Sequence, residues 1–234
     1  MLRKFLMISS ALPLVGCLNV TVVSTDGEKT PGEPSESSAP SVLPDYQSGS
    51  HWYVDEQRAV RERRADASPR QAKNIVFFLG DGMGVSTVTA ARILAGQRLG
   101  GTGEEYSLSF EHFPMSGLAK TYNVDSQTPD SAGTMSAIVT GVKTNISMFG
   151  VDETASPDDC VSARDRGLLS LLEIAELAGR STGVISTARL THATPAATYA
   201  KTVNRDWEDD SEMTESAAAA GCGDIATQFV THRQ

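Results

Sequence analysis

The sequence has little of what marks several common classes of protein. Only three of its 234 residues are cysteines, 6% are aromatic, and the 29 acidic side chains outnumber the 20 basic ones. The formal net charge is −9 and no cluster of lysine and arginine stands out, which argues against a nucleic-acid-binding surface. The length and a hydrophobic content of 40% are sufficient for one globular core.

Two nucleotide-binding motifs are also missing from the glycine-rich stretch GDGMG, residues 80–84. The dinucleotide fingerprint needs Gly-x-Gly-x-x-Gly, and Val85 stands at the third glycine position. A P-loop is excluded because no Gly-Lys-Ser/Thr follows.

The apolar run at the N-terminus, residues 5–15, is too short to span a bilayer. It follows two basic residues and ends in Leu-Val-Gly before Cys17. This order is typical of a bacterial lipoprotein signal. We therefore predict a signal peptide over 1–16 and a lipid on Cys17 that anchors the exported protein to a bacterial membrane, facing the periplasm or the cell exterior. An ordinary secretory signal with an incidental cysteine is the alternative.

The segment after Cys17 is rich in Ser, Pro, Gly, Asp and Glu, which predicts a flexible tether over 17–70 with a short helix from Arg58 to Arg70. The folded domain is expected over 71–234. Export exposes Cys160 and Cys222 to an oxidising compartment, which suggests a disulfide; two buried free thiols are the alternative.

The folded part has the pattern of an α/β protein. Residues 74–79 are an apolar run that predicts a strand covered on both faces, followed by a glycine turn and a helix over 86–99. Further helices are predicted over 132–140, over 167–179 and from residue 223, with a strand over 183–186. This order suggests a parallel or mixed sheet with helices on both faces.

Three stretches carry candidate chemistry. Ser131 lies where a Thr-Pro-Asp turn meets a helix, so it is either a nucleophile near the positive end of the helix dipole or, like Asp130, a helix cap. Asp81 ends the first strand between two glycines, which would let a metal or phosphate approach; capping the next helix is the alternative.

The third stretch is THATPAATYAKTVNRDW, residues 191–207. His192 and Thr194 alternate in a predicted extended segment, and the guanidinium of Arg205 can grip two phosphate oxygens. Separately, these residues also fit a polar core histidine, a capping threonine and a surface arginine.

Together, four stretches resemble the alkaline phosphatase family: NIVFFLGDGMG, DSAGTMSAIVTGVKTN, THATPAATYAKTVNRDW and GCGDIATQ. They follow the family's order and spacing and cover about residues 72–230. The resemblance implies a three-layer α/β/α sandwich with a mostly parallel central sheet, incomplete at the C-terminus. It also implies metal-dependent hydrolysis of phosphate monoesters, and a homodimer, since the family is often dimeric.

The resemblance assigns roles to individual residues. Ser131 would be the nucleophile that becomes phosphorylated, Arg205 would grip the substrate, and Asp130 would orient Arg205. Ala132 and Gly133 would leave room for the phosphate. Cys160 and Cys222 resemble a disulfide pair found in some members.

The family's cofactors are two zinc ions and one magnesium ion. Asp81 would bridge one zinc and the magnesium, Thr194 would bind magnesium through its hydroxyl, and His192 would lie near the magnesium through water. Ser131 would bind zinc through its alkoxide.

Family members are considerably longer, and the remaining zinc ligands and a magnesium glutamate have no match here. We therefore expect an N-terminal fragment that is weakly active or inactive. Two other functions stay open. One is a non-catalytic tethered binder of phosphate or metal. The other is a serine hydrolase of acyl esters using Ser131 and His192, although its nucleophile elbow needs glycine where Pro129 stands.

Overall fold

A computed structural model describes residues 5–9, 19–26, 42–64, 72–113 and 117–232. The chain divides into two compact units. The first comprises Met1–Ser37 and Ala67–Thr121, and the second comprises Ser38–Asp66 and Tyr122–Gln234. Cys17, the predicted lipidation site, lies outside the described residues.

The first unit contains a three-stranded sheet of β1 (Phe5–Ser9), β2 (Asn19–Asp26) and β3 (Ala72–Gly80), in the order β1-β2-β3. Both pairings are antiparallel, and Val22 lies opposite Phe77. The β-branched and aromatic residues of β2 and β3 suit a pleated sheet. The strand predicted over 74–79 is thus confirmed, whereas every pairing among the described strands is antiparallel instead of mostly parallel. The three-layer sandwich stays a prediction.

The prediction that β3 is covered on both faces is wrong in this structure. Ile75 and Phe78 of β3 are 59% and 56% exposed. The physical reason is that, among the described elements, β3 pairs with β2 alone, and none of the described helices packs extensively against it.

After β3, the first unit continues with α3 (Val85–Arg98) and a 3-10 turn over Ser109–His112. The helix predicted over 86–99 is confirmed. Between these two elements the chain approaches α3 closely at Gly103, whose φ is +96° and where a Cβ would come within 2.4 Å of the Ile93 carbonyl oxygen. Only glycine fits this close approach.

The second unit begins with α1 (Asp45–Ser48) and α2 (His51–Arg64). This part of the predicted tether is folded, so the expectation of a flexible segment is wrong for these helices. The reason is Gln47, which is fully buried and hydrogen-bonded to residues far along the chain. The helix expected from Arg58 exists but begins earlier, at His51.

The remaining helices of the second unit are α4 (Ser131–Thr140), α5 (Leu171–Leu177), α6 (Ala193–Ala196), α7 (Glu215–Ala219) and α8 (Ile225–Thr231), with a 3-10 turn over Asp210–Glu212. Three of these are the predicted helices. The helix predicted over 167–179 is shorter because Ser170 caps it: its hydroxyl accepts from the Glu173 N–H at 3.1 Å. Residues 183–186 form no strand, and Ile185 is completely exposed.

A disulfide packs against one buried cluster in the core of the second unit. A buried cluster of Met148, Val151, Ala155, Val203, Trp207 and Ala217 packs against Cys160 and Cys222. These two cysteines are bonded to each other, which confirms the predicted disulfide. Helix α4 packs against α6 in the same unit, which brings the Ser131 segment beside the His192–Thr194 segment.

Candidate active site

Ser131 is the first residue of α4, and Asp130 is its cap. Asp130 has extended backbone angles, φ −112° and ψ 171°, and its Oδ1 accepts from the Gly133 N–H at 3.0 Å. Since Asp130 serves as the cap, the Ser131 hydroxyl is not required for that purpose. Ser131 therefore lies, half-buried, at the positive end of a ten-residue helix.

The Asp130 carboxylate accepts four hydrogen bonds. Oδ1 accepts from Asn123 Nδ2 and from the Gly133 N–H, both at 3.0 Å. Oδ2 accepts from the Ser147 N–H at 3.0 Å and from an Arg205 guanidinium nitrogen at 3.2 Å. Four donors from four parts of the chain hold this carboxylate in one orientation.

The Arg205 guanidinium lies between an aspartate and a histidine. One terminal nitrogen donates to Asp130, and the other lies 3.1 Å from His192 Nε2. The Arg205 backbone N–H donates to the Ser147 carbonyl at 2.8 Å. Because a guanidinium has five N–H donors, these contacts leave donors for the oxygens of a bound anion.

His192 immediately precedes α6, with φ −58° and ψ 143°, and Thr194 lies inside that helix. The prediction that His192 and Thr194 alternate in one extended segment is therefore wrong. Proline is tolerated in the first turn of a helix, where its missing N–H would have no helical partner. Within the part of the chain that the structure describes, buried His192 Nδ1 has no hydrogen-bond partner. With Nε2 directed at Arg205, neither ring nitrogen bonds Ser131, which argues against a Ser131–His192 dyad for acyl transfer.

An ion pair anchors the segment that leads into His192. Arg189 Nε donates to Glu208 at 2.8 Å, and the Thr191 hydroxyl donates to the same carboxylate at 2.6 Å. The Arg189 hydrogen bond is the largest cause that lowers the pKa of Glu208, to about 2. Tyr199 donates to the Leu190 carbonyl at 2.7 Å, and burial raises the Tyr199 pKa to about 12.

Sequence reasoning missed Asn123 and Ser147. Asn123 is 1% exposed and precedes the Thr-Pro-Asp turn. Ser147 has a φ of +63°, and its N–H and carbonyl contact both ends of the Asp130–Arg205 pair. A buried asparagine before a turn is a weak signal, and nothing in the sequence marks Ser147, because a positive φ is uncommon for serine.

Gly133 permits a close contact with Asn123. A Cβ at position 133 would come within 2.5 Å of Asn123 Oδ1. The Asn123 amide thus occupies the space that the missing side chain leaves, and room for phosphate beside Gly133 stays a prediction.

Asp81 lies in the first unit, in the turn after β3, whereas the other candidates lie in the second unit. The N-cap of α3 is Gly84, which removes the alternative that Asp81 caps that helix. Its approach to Ser131 stays a prediction. Across the described ranges, no three or more His, Cys, Asp or Glu residues are grouped so that they could hold a metal ion.

Comparison with known proteins gives consistent matches. The family model for alkaline phosphatase matches residues 72–234. The tissue-nonspecific alkaline phosphatase of Gallus gallus is 46% identical over 182 residues, covering 77% of this chain and 35% of the relative. The human tissue-nonspecific isozyme is 48% identical over 159 residues, covering 68% of this chain and 30% of the relative. The membrane-bound alkaline phosphatase of Bombyx mori is 44% identical over 203 residues, covering 83% and 37%.

The chain spans about a third of the length of these curated relatives. Among solved structures, alkaline phosphatase from the Antarctic bacterium TAB5 matches at 25% identity with a TM-score of 0.40, covering 60% of this chain and 42% of that one. No helix within the described residues has the length and apolar character needed to cross a bilayer.

Proposed function

The chain belongs to the alkaline phosphatase family, and on that premise we propose that its protein hydrolyses phosphate monoesters through a phosphoserine on Ser131, releasing inorganic phosphate. The observation that carries this proposal is the hydrogen-bonded series Asp130–Arg205–His192 beside a serine at a helix N-terminus. An anion held by Arg205 and the helix N–H groups suits that arrangement.

The proposed reaction has two displacements. In the first, Ser131 Oγ forms a bond to phosphorus while the bond to the ester oxygen breaks, and the alcohol leaves with a proton. In the second, water attacks the phosphoserine, the phosphorus–Oγ bond breaks, and the proton returns to Ser131. Arg205 binds the non-bridging oxygens in both steps, and Asp130 holds the guanidinium in place.

Metal ions are part of the proposal through the family. We propose that the protein would bind two zinc ions and one magnesium ion, that Asp81 and Thr194 would serve as ligands, and that the side chains of His192 and Ser131 would help to hold the ions. When bound, such cations supply Lewis-acid stabilisation of oxyanions. A catalytic zinc needs about three protein ligands, and the described residues do not group that many, so no step above depends on an ion.

The location of the protein is proposed on separate grounds. One relative is named a membrane-bound alkaline phosphatase, and the N-terminal pattern predicts a lipid on Cys17 after a signal over 1–16. We propose an exported protein that is lipid-anchored on the periplasmic or exterior side of a bacterial membrane. A homodimer is proposed from the family alone.

Ser131→Ala tests the function. The protein that carries this chain is assayed for p-nitrophenyl phosphate turnover with added zinc and magnesium, and for covalent phosphate after acid quench. We expect turnover and phosphoserine in the wild type and neither in Ser131→Ala. Ser126→Ala is the matched control, because Ser126 lies in the same loop and its hydroxyl donates to the Thr128 carbonyl at 2.8 Å, away from Ser131. Full turnover by Ser131→Ala would reject the proposal.

The remaining alternatives give different results in the same assays. A serine hydrolase would react with a fluorophosphonate probe at Ser131 and hydrolyse p-nitrophenyl acetate without added metal. A non-catalytic binder would bind phosphate in a metal-dependent way and form no phosphoserine.

A further inference from the structure

We propose that Asn123 is a positioning residue of the phosphate site, which acts by fixing the Asp130 carboxylate that holds Arg205. This inference rests on the proposed function, since it assigns Arg205 the binding of phosphate oxygens. It concerns a residue that touches neither phosphate nor Ser131 in the proposed mechanism.

The first support is the contact itself. Asn123 is 1% exposed, and its Nδ2 donates to Asp130 Oδ1 at 3.0 Å. A carboxylate only accepts hydrogen bonds, so the amide nitrogen must face it. Asn123 Oδ1 is buried and has no hydrogen-bond partner among the described residues. Within that part of the chain, the side-chain amide therefore forms its hydrogen bond through Nδ2, to Asp130.

The second support is the rigidity of the segment that carries Asn123. Its own N–H donates to the Ser126 carbonyl at 2.9 Å, and the Val124 N–H donates to the Thr144 carbonyl at 3.1 Å. On the other side, Lys143 Nζ donates to the Tyr122 carbonyl at 2.6 Å. Because the backbone is held on both sides, the amide is a fixed donor that cannot follow a rotating carboxylate.

The third support is the division of labour around Asp130. Two of its four donors are backbone N–H groups, from Gly133 and Ser147. Within the described residues, Arg205 and Asn123 supply its side-chain donors. A Cβ at position 133 would displace the Asn123 amide, and Gly133 has none. Without Asn123, Oδ1 keeps one donor, and rotation of the carboxylate would move Oδ2 away from Arg205.

The test replaces Asn123 by aspartate, which keeps the size, exchanges the amide donor for a carboxylate facing Asp130 and adds one negative charge, as the Gln47→Glu control also does. The inhibition constant of inorganic phosphate, KM and kcat are measured for p-nitrophenyl phosphate on the protein that carries this chain. We expect the inhibition constant and KM to rise about tenfold, with kcat changed much less, because Arg205 holds substrate and product through the same oxygens.

The matched control is Gln47→Glu. Gln47 is an equally buried amide in the same unit, but it donates to the Thr140 and Leu169 carbonyls instead of Asp130. This variant is expected to lower the melting temperature and leave the phosphate inhibition constant unchanged. If Asn123→Asp does not fold, Asn123→Ser replaces it, since serine is smaller, uncharged and too short to reach Asp130.

The outcomes separate the two proposals. An active wild type whose Asn123 variants fold and keep the wild-type phosphate inhibition constant would overturn the role of Asn123 alone. Equal rises for the Asn123 and Gln47 variants would do the same, because they would indicate a general structural effect. A wild type without phosphate-ester turnover would instead reject the proposed function.

Discussion

At the scale of single residues, Asp130 combines two tasks in one carboxylate. One oxygen caps α4 and the other holds Arg205. A cap orients the first turn of its helix, so the position of Ser131 and the position of Arg205 depend on the same group. Because Asp130 supplies the cap of α4, the alternative that Ser131 is the cap is removed, and the role of Ser131 as nucleophile stays a proposal.

Glu208 predicts a dependence of stability on pH. Its folded pKa is about 2, below the ordinary 4.5, chiefly through the Arg189 hydrogen bond. A depressed carboxyl pKa contributes stability above the ordinary pKa, and this contribution is lost as the pH falls from about 4.5 towards about 2. The Arg189 side chain is 69% exposed, so solvent screening limits the contribution to about 1 kcal/mol or less.

Glu208→Gln should remove this part of the pH dependence. Urea unfolding at pH 7, 4 and 3 is expected to give a smaller loss of unfolding free energy on acidification than in the wild type. Glu215→Gln, an exposed carboxylate of the same unit, should keep the wild-type slope. Identical slopes for Glu208→Gln and the wild type would contradict the prediction.

The sequence predicted the residues whose chemistry is visible in their type. Asp130, Arg205 and His192 were expected near one another, and the structure brings them into contact. Asn123 and Ser147 could not be found in this way, because their contribution comes from burial and from a backbone angle, which are products of tertiary structure. Asp81 and Thr194 remain proposed metal ligands.

At the scale of elements, helices with clear start and stop signals were predictable, whereas of the two predicted strands the one over 74–79 is present and the one over 183–186 is not. Ser170 and Glu173 form a capping box, so local residue types are sufficient to predict where α5 begins. The apolar run at 183–186 has no comparable local signal. A strand exists only when a partner offers hydrogen bonds, and the described structure gives this segment none, so it stays irregular.

The polar composition around α1 did not predict a helix, and the contacts of one buried amide explain where the helix lies. Gln47 Nε2 donates to the Thr140 and Leu169 carbonyls, both at 2.9 Å, and Oε1 accepts from the Leu169 N–H at 2.7 Å. These bonds join α1 to the end of α4. A short polar segment is thus fixed by long-range contacts that composition cannot reveal.

Gln47→Ala should therefore destabilise the second unit. Removing the amide leaves buried carbonyls and an N–H without partners, which costs about 1–3 kcal/mol per group. We expect the unfolding free energy to fall by about 2 kcal/mol or more, measured by urea unfolding. Ser48→Ala is the control, since its weak bond to Asp45 at 3.4 Å should make the change nearly neutral. A neutral Gln47→Ala would show that α1 is not anchored by this side chain.

At the scale of the whole molecule, family membership was predictable because four separated stretches agree in order and spacing, and the family match over 72–234 confirms it. The arrangement of sheet and helices in layers could not be predicted from these stretches, because the direction of each strand depends on which strands pair. The disulfide was predictable because two cysteines, Cys160 and Cys222, remain when Cys17 is set aside as the predicted lipidation site. The disulfide also affects the candidate site, because Cys160 lies close in sequence to Asp158, which is hydrogen-bonded to Asn204 beside Arg205.

The loop closed by Cys160 and Cys222 links stability to the site. The two residues are separated by 62 positions, and in the chain-entropy model closing such a loop contributes about 4 kcal/mol. Asp158, two residues before Cys160, accepts from Asn204 Nδ2 at 2.6 Å, and Asn204 precedes Arg205. Replacing Cys160 and Cys222 by serine should therefore lower the unfolding free energy by about 4 kcal/mol in non-reducing urea. It should also raise the inhibition constant of phosphate, because the position of Asp158, the partner of Asn204, is no longer fixed.

Cys17→Ser is the control and should change neither the unfolding free energy nor the inhibition constant. An unchanged unfolding free energy of the double variant would contradict the prediction. It would mean that the buried cluster stabilises this region without the disulfide.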